Sequence, residues 1–278
     1  MPELPEVESV VRSLAPHVLG ACIDGVTLLR PESLHKDSLP LNSLLGSCIT
    51  SVSRRGKLIL LGLEQEAFPK RFLVVHLRMT GALLCHPHET PAGSHTRCIF
   101  SLQRQDSSSS LFFDDIRCFG SLFLATQAML MSWRFYTELG PEPLETNLAL
   151  FLSRLEQKKS ATIKAALLDQ KVLAGLGNIY TDESLFLAKI HPERTVASLS
   201  RDEKKCLLAC IKQILRKAIK GCGTSFRNYQ DANGRAGAFQ NELAVYGRDK
   251  KPCIKCKTPL KKIRVCGRGT VFCPRCQH

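Results

Sequence analysis

"CIKCKTPLKKIRVCGRGTVFCPRC", residues 253–276, carries the strongest local pattern in the chain. Cys253 and Cys256 form one C-x2-C pair, and Cys273 and Cys276 form a second pair after sixteen intervening residues. Two such pairs at this distance are typical of a structural zinc site, in which four thiolates surround the ion tetrahedrally. We therefore predict one structural Zn2+ held by these four cysteines, on two turns that bracket a short β-hairpin.

The segment between the two cysteine pairs is strongly basic. Its basic residues are Lys257, Lys261, Lys262, Arg264 and Arg268. Cys266 lies outside the symmetric spacing, so we do not expect it to bind the metal. Two redox-active C-x2-C pairs are the alternative, but no βαβ pattern surrounds them. The segment also lacks the spaced histidines and recognition helix of a major-groove finger, which favours contact with phosphate groups.

The charge of the whole chain points to a polyanionic partner. The 278 residues carry a net charge of +14, and residues 248–278 alone contain 10 basic residues against 1 acidic residue. A basic surface of this kind suits nucleic acid, although a solvated basic tail is the alternative. No apolar run approaches the length of a membrane span, and no secretory signal precedes the first helix. We expect a soluble, cytoplasmic protein with no membrane partner.

The pattern along the chain predicts an α+β protein in several parts. Residues 5–19 have the apolar spacing of a helix, and residues 21–126 alternate in short β-like runs that suggest an antiparallel sandwich or barrel. A polar stretch, "QRQDSSSSLFF", is expected to be a hairpin loop. Later helices are predicted at 148–157, 161–173, 179–190 and 200–220, followed by a glycine-rich, loop-like segment at 221–247.

The remaining cysteines are scattered singly, and in a reducing compartment we expect them to be unpaired packing residues. They are Cys22, Cys48, Cys85, Cys98, Cys118, Cys206, Cys210 and Cys222.

"VLAGLGNIYTDESLF", residues 172–186, predicts a glycine-rich turn between two helices. Backbone N–H groups at such a turn and at a helix start bind anions, and Asn178 adds a side-chain donor. The alternative is an ordinary helical hairpin whose glycines only permit the turn. The residues alone favour this alternative slightly.

"MPELPEVESV", residues 1–10, suggests a nucleophile at the chain terminus. If Met1 is removed, Pro2 becomes a secondary α-amine, which titrates near ~7.7–8.0 against ~10.4 for lysine. Attack of this amine on a sugar C1′ gives an iminium ion, which favours base loss and then elimination. Glu3 is placed to protonate the sugar ring oxygen. An ordinary capped helix start is the alternative.

Five segments together resemble the bacterial formamidopyrimidine-DNA glycosylases, which remove 8-oxoguanine and ring-opened purines from DNA. They are PELPEVE (2–8), RRGK (54–57), HLRMTG (76–81), GLGNIYTDE (175–183) and the C-terminal cysteine hairpin. The resemblance implies a β-sandwich catalytic domain with a leading helix at 1–133 and a linker at 134–147. A helix–two-turn–helix domain with a lesion-capping loop (221–247) would occupy 148–247, and the zinc finger 248–278.

The resemblance assigns catalytic roles by matching position. Pro2 would be the nucleophile, Glu3 the catalytic acid and Glu6 a second functional carboxylate. Lys57 would reach the phosphates that flank the lesion, and His76 is assigned to DNA binding.

The resemblance also assigns residues that hold the DNA. Asn178 and Arg268 would clamp the same phosphates as Lys57. Met79 and Phe119 would fill the gap left by the flipped nucleotide, and Arg117 would face the estranged cytosine. Two positions depart from the usual family pattern. Cys118 replaces a second basic residue after the arginine. Ala238 replaces an aromatic residue at the tip of the glycine-rich loop.

The resemblance implies a monomeric, bifunctional glycosylase and AP lyase acting on double-stranded DNA with oxidised purines, without a small-molecule cofactor. Two alternatives stay open. The endonuclease VIII branch removes oxidised pyrimidines, but PELPEV and the 221–247 segment argue against it. A non-catalytic, zinc-containing protein that recognises bent or damaged duplex has no need of the Pro2–Glu3 pair.

Overall fold

The computed structural model describes residues 1–66, 68–105, 107–225 and 229–278, which form two compact units. The first unit comprises residues 1–137 and 221–238, and the second comprises residues 138–220 and 239–278. The segment 221–238 thus groups with the first unit, although it follows the helices of the second unit in sequence. The domain boundaries at 133, 147 and 247 stay predictions.

The first helix, α1, runs from Leu4 to Val18, in agreement with the predicted helix. A proline in its first turn supplies a backbone angle that suits a helix start and lacks only an N–H that would be unpaired there. The apolar stripe of the helix is buried in the core of the first unit. This packing fixes where the start of α1 lies against the sheet.

Eight antiparallel strands follow in a continuous sheet of order β5-β7-β6-β1-β2-β3-β4-β8. They are β1 (Cys22–Leu28), β2 (Cys48–Arg55), β3 (Leu58–Glu64), β4 (Arg71–His76), β5 (Gly81–Pro87), β6 (Thr96–Arg104), β7 (Ser107–Asp115) and β8 (Ser121–Thr126). One apolar cluster takes side chains from both ends of this order, such as Leu83 of β5 and Leu122 of β8. The sheet therefore folds over on itself, as expected of a sandwich.

The serine-rich stretch differs from the expected loop. Strand β7 begins at Ser107, and Ser110 pairs with Ser101 on one side and His86 on the other. The serines are strand residues because β7 lies between β5 and β6, so their backbone groups are hydrogen-bonded on both sides. Residue 106, at the expected tip, lies outside the described residues.

Two of the cysteines expected to be unpaired form a disulfide. Cys22 and Cys48 are bonded through their sulfur atoms at 2.08 Å, so the prediction was wrong for this pair. The two residues are 26 positions apart in sequence, but they are direct partners in the register of β1 and β2. A residue pattern along the chain does not reveal such a register.

Short helices α2 (Gln127–Ser132) and α3 (Arg134–Thr137) close the first part of the chain. The second unit contains helices α4 (Leu148–Glu156), α5 (Ile163–Leu168), α6 (Asn178–Leu187) and α7 (Arg201–Lys220), and the hairpin strands β9 (Lys261–Val265) and β10 (Arg268–Phe272). Helix α5 is shorter than predicted because Asp169 adopts an extended conformation that ends it. None of the described helices is long and apolar enough to cross a membrane.

Candidate active site and nucleic-acid interface

The start of α1 holds two buried carboxylates. Glu3 is the N-cap residue, and its backbone N–H donates to Oε2 of Glu6 at 2.8 Å, as part of a capping box. Glu3 is 3% exposed and Glu6 is 1% exposed. A helix N-terminus carries a partial positive charge, which stabilises carboxylates placed there. Pro2, directly before them, is also buried, whereas Met1 is exposed.

Glu6 also binds the glycine-rich segment that follows α7. Its Oε1 accepts hydrogen bonds from the backbone N–H of Thr224 at 2.7 Å and from the Thr224 hydroxyl at 3.0 Å. The hydroxyl of Tyr229 donates to the backbone carbonyl of Glu6 at 3.1 Å. The structure therefore places the described part of the predicted lesion-capping loop against the predicted catalytic helix start. Residues 226–228 of that loop lie outside the described residues.

Lys57 and His76 come together through the hairpin of β2 and β3. Lys57 follows the turn residue Gly56, and the next residue, Leu58, pairs with His76 of β4. Both side chains are largely buried. Burial, with the positive charges of Arg78 and Lys57, lowers the pKa of His76 to about 3. His76 is therefore neutral at pH 7.

The tautomer of His76 follows from its hydrogen bond. Its Nδ1 accepts from the backbone N–H of Arg78 at 3.0 Å. In a neutral imidazole the other nitrogen then carries the proton, so Nε2 is a donor. Such a donor beside a lysine suits a phosphate oxygen.

Met79, Arg117 and Phe119 form an exposed cluster on two neighbouring loops. A guanidinium nitrogen of Arg117 lies 3.3 Å from the Met79 sulfur, and the guanidinium carbon lies 4.8 Å from the centroid of the Phe119 ring. Met79 is 44% exposed and Phe119 is 53% exposed, which is unusual for large apolar side chains. The structure thus brings the two predicted void-filling residues, Met79 and Phe119, together with Arg117 on the surface.

Asp115 holds the two loops in place. Its carboxylate, 1% exposed, accepts from the Thr80 hydroxyl at 2.5 Å and from the backbone N–H of Gly120 at 2.7 Å. The backbone N–H of Arg117 donates to both Thr80 and Asp115. Sequence analysis did not single out Asp115 or Thr80. An aspartate that directly precedes a turn is the signal that suggests this role.

Asn178 and Arg268 lie close together in the second unit. Asn178 is the first residue of α6, and its Nδ2 donates to the carbonyl of Gly269 at 2.9 Å. Arg268, the neighbour of Gly269, is exposed at the start of β10. A helix start and a guanidinium on one surface can bind the same anion.

The four predicted metal ligands are brought together by the ends of the hairpin. The sulfur atoms of Cys253, Cys256, Cys273 and Cys276 all lie within 4.8 Å of one another. Tetrahedral zinc with Zn–S bonds of ~2.3 Å separates its sulfur ligands by ~3.8 Å, so this cluster fits the ion. The predicted structural zinc is confirmed by this geometry and by the family comparison below.

Three family profiles match the chain in order. Residues 1–122 match the formamidopyrimidine-DNA glycosylase N-terminal domain, and residues 139–229 match the formamidopyrimidine-DNA glycosylase H2TH domain. Residues 250–278 match a zinc finger found in FPG and IleRS. The matches cover both units and the metal site.

Curated proteins and solved structures that carry the name formamidopyrimidine-DNA glycosylase, or Fpg, are similar to the chain over its full length. The formamidopyrimidine-DNA glycosylases of Desulfitobacterium hafniense and Heliobacterium modesticaldum are 42% and 43% identical, with 100% of both chains covered in each case. The Lactococcus lactis Fpg in complex with DNA containing an abasic site is 35% identical, with a TM-score of 0.88 and 99% of both chains covered. A variant of that protein with Fapy-dG DNA has a TM-score of 0.89 at 35% identity, with full coverage of both chains.

Proposed function

This chain belongs to the formamidopyrimidine-DNA glycosylase family and is a DNA glycosylase of base excision repair, and on that premise we propose that it is bifunctional. It removes 8-oxoguanine and formamidopyrimidines from duplex DNA and then cleaves the strand as an AP lyase. The lactococcal relative supports formamidopyrimidine lesions as substrates, because a variant of it was solved with DNA containing Fapy-dG. The buried Pro2–Glu3 pair at the start of α1 is the observation that carries the proposal.

Pro2 acts as the nucleophile after removal of Met1. Its secondary amine attacks C1′ of the damaged nucleotide, and the glycosidic bond breaks as the base leaves with its electron pair and a proton. The C1′–O4′ bond then opens as the ring oxygen takes a proton from Glu3, and the resulting iminium ion withdraws electrons from the sugar. Loss of a C2′ proton then expels the 3′ phosphate, and a second elimination expels the 5′ phosphate.

Glu3 acts as the acid that protonates the sugar ring oxygen while Pro2 attacks. Glu6 positions both groups, because it accepts from the backbone N–H of Glu3 on one oxygen and from Thr224 on the other. Its carboxylate thereby connects the helix start to the loop proposed to cover the lesion.

The remaining site residues hold the distorted DNA. Lys57 and the Nε2–H of His76 bind phosphates in the first unit, and Asn178 and Arg268 bind phosphates in the second. The exposed cluster of Met79, Arg117 and Phe119 fills the space that the flipped nucleotide leaves.

Zinc has a structural role, since four thiolates leave no open position for a substrate. The protein acts as a monomer in the bacterial cytoplasm. The proposal is supported by the basic charge of the chain and by the family's DNA complexes.

Borohydride trapping tests the proposal. The purified protein is incubated with a duplex carrying one 8-oxoguanine opposite cytosine, reduced, and analysed by intact mass and peptide mapping. We expect a covalent adduct on Pro2, with Met1 absent. An otherwise identical duplex with an oxidised pyrimidine tests the endonuclease VIII specificity in parallel.

Glu3→Gln is the matched variant, because glutamine keeps a side chain that can cap α1. We expect its single-turnover excision to fall by about 10²–10⁴-fold, the usual contribution of a general acid, while DNA affinity is retained. Tight binding by the wild type without any adduct would overturn the catalytic proposal in favour of a damage-binding protein.

A further inference from the structure

A buried hydrogen-bonded chain connects helices α5 and α6 to the arginine at the hairpin tip. Lys164 of α5 donates from Nζ to Asp182 Oδ1 of α6 at 2.6 Å and to Thr270 Oγ1 of β10 at 2.7 Å. The Thr270 hydroxyl in turn donates to the backbone carbonyl of Arg268 at 3.2 Å. The side chains of Lys164 and Asp182 are 0% and 1% exposed, and Thr270 is 1% exposed.

Helix α6 binds the same strand at two further points. Asn178 donates to the carbonyl of Gly269 at 2.9 Å, and Asp182 Oδ2 accepts from the backbone N–H of Val271 at 3.3 Å. Helix α6 therefore holds the β10 backbone at Gly269 and at Val271, and Lys164 of α5 holds the Thr270 side chain that lies between them. The exposed guanidinium of Arg268 extends from a backbone that these contacts hold in place.

Glu183, the next residue of α6, holds the chain that leads into the finger. Its buried carboxylate accepts from the backbone N–H groups of Ala244, Val245 and Tyr246 at 2.8–2.9 Å. Asn178, Asp182 and Glu183 of the NIYTDE segment thus bind the hairpin and the residues that lead into it.

Stability alone does not explain the charged pair. A buried ion pair loses its hydration, and well-packed apolar residues often serve stability as well or better. The pair instead fixes the positions of its neighbours, because each of its hydrogen bonds requires a specific partner atom at a defined distance and angle. Here one of those atoms belongs to the strand that carries Arg268.

We propose that Lys164, Asp182 and Thr270 are positioning residues for DNA binding. Together they hold the backbone of β10 so that Arg268 and Asn178 can bind the same phosphates. This inference rests on the proposed function, in which Arg268 and Asn178 bind the backbone of lesion-containing DNA. The three residues act through Arg268 and do not themselves touch the DNA.

Thr270→Val tests the proposal, because it removes the hydroxyl and keeps the shape of the side chain. Thr270→Ser keeps the hydroxyl and is the conservative rescue. Thr181→Val is the matched control, since Thr181 is a buried threonine of α6 whose hydroxyl has no hydrogen-bond partner in the described part of the chain. Each is compared with Arg268→Ala and with the Thr270→Val/Arg268→Ala double variant, at full zinc content.

The readouts are the Kd for duplex DNA with a stable abasic-site analogue and the salt dependence of that Kd. We expect Arg268→Ala to weaken binding about tenfold, as for loss of a charge-assisted hydrogen bond, and to lower the salt slope by about 1. Thr270→Val should show a smaller loss with the same fall in slope, and Thr270→Ser and Thr181→Val should match the wild type. The double variant should be no weaker than Arg268→Ala, because both changes remove one contact.

Two different failures are distinguishable. If Arg268→Ala binds as well as the wild type, the phosphate clamp of the proposed function is wrong. If Arg268→Ala weakens binding but Thr270→Val does not, or if the two losses multiply in the double variant, the positioning role is wrong while the clamp stands.

Discussion

The N-termini of α1 and α6 both carry the partial positive charge of a helix start, but different groups lie next to that charge in the two helices. Helix α1 begins with Glu3 as its N-cap residue and Glu6 in its first turn, so the chain's own carboxylates occupy its positive end. Helix α6 begins after Gly177, which has no side chain, with Asn178 as its first residue. The first helix start stabilises two buried carboxylates of the chain itself, which we propose serve catalysis, and the second is suited to an anion from outside.

The two helix starts also differ in what they hold. The first is bonded to a loop through Thr224, and the second is bonded to a metal-stabilised hairpin through Gly269. The hairpin is additionally constrained by the zinc that its four cysteines bind. The proposed reactive site at the start of α1 and the proposed phosphate clamp of Asn178 and Arg268 can therefore be tested by separate variants.

Loss of the zinc should have the largest effect on DNA affinity, and it should act through the proposed phosphate clamp of Asn178 and Arg268. In Cys273→Ser the metal loses a ligand, and we expect zinc content to fall and DNA affinity to drop by about 10²-fold as the phosphate contacts of the hairpin are lost. The fluorescence of Trp133, the single tryptophan, should stay unchanged, because its aromatic neighbours Phe123, His35 and Phe135 all belong to the first unit. Zinc assay, DNA titration and emission spectra measure the three quantities.

Cys266→Ser is the control for this change. Cys266 is exposed on the same hairpin and lies outside the metal cluster, so its variant should keep both zinc and affinity. A Trp133 spectrum that changes together with zinc loss would show that the effect of the variant is not confined to the second unit.

A side chain placed against Glu6 should have the next largest effect, and it should lower stability and excision by disturbing the start of α1. A Cβ at Gly223 would lie 2.7 Å from Oε1 of Glu6, and the backbone there has φ +76. Because the buried carboxylate has to give up its bonds to Thr224, we expect Gly223→Ala to cost about 2–3 kcal/mol of unfolding free energy. Excision should slow as well. Denaturant unfolding and single-turnover excision measure these effects.

Gly20→Ala measures the cost of backbone strain alone, without the steric clash that Gly223→Ala also introduces. Gly20 has φ +77 in the same unit, and a Cβ there would meet nothing within 4 Å. The strain alone should cost about 1 kcal/mol and leave excision unchanged. Equal losses in the two variants would contradict a specific role for the Glu6 contact.

The neutral state of His76 should have an effect that is absent near pH 7 and appears only as the pH falls. The folded protein keeps His76 neutral down to about pH 3, whereas the unfolded chain binds a proton below about 6.5. Stability from this group is therefore fully present above pH 6.5 and is lost as the pH falls, by at most about 1.4 kcal/mol per unit. Unfolding curves of the wild type and His76→Gln between pH 4 and 8 should diverge in that direction. Parallel curves would contradict the buried neutral state.

Some parts of the site could be predicted from residues close together in the chain. The cysteine pairs, the Pro2–Glu3 start and the glycine-rich turn before Asn178 each depend on short spacings. Their chemistry is local, because a knuckle, a helix cap or a turn forms within a few residues. The resemblance to a family added the roles of Met79 and Phe119, which composition alone suggests are core residues.

Other parts depend on contacts between residues distant in sequence. The Cys22–Cys48 bond follows from strand register, and the serine-rich β7 follows from its place between two other strands. The glycine-rich segment after α7 is loop-like in sequence, and its hydrogen bonds with Glu6, 218 positions away, follow only from the tertiary structure.

The sequence by itself determined the metal ligands and the α+β class, because both depend on short spacings that the local backbone converts into geometry. The reactive terminus was predicted from the same kind of local pattern. Only the tertiary structure decided which buried groups meet. Lys164, Asp182 and Thr270 lie on three different elements, and their 2.6 and 2.7 Å contacts exist only after α5, α6 and the hairpin have packed together. A hydrogen bond needs its partners at a defined distance and angle, and sequence spacing does not supply these for residues so far apart.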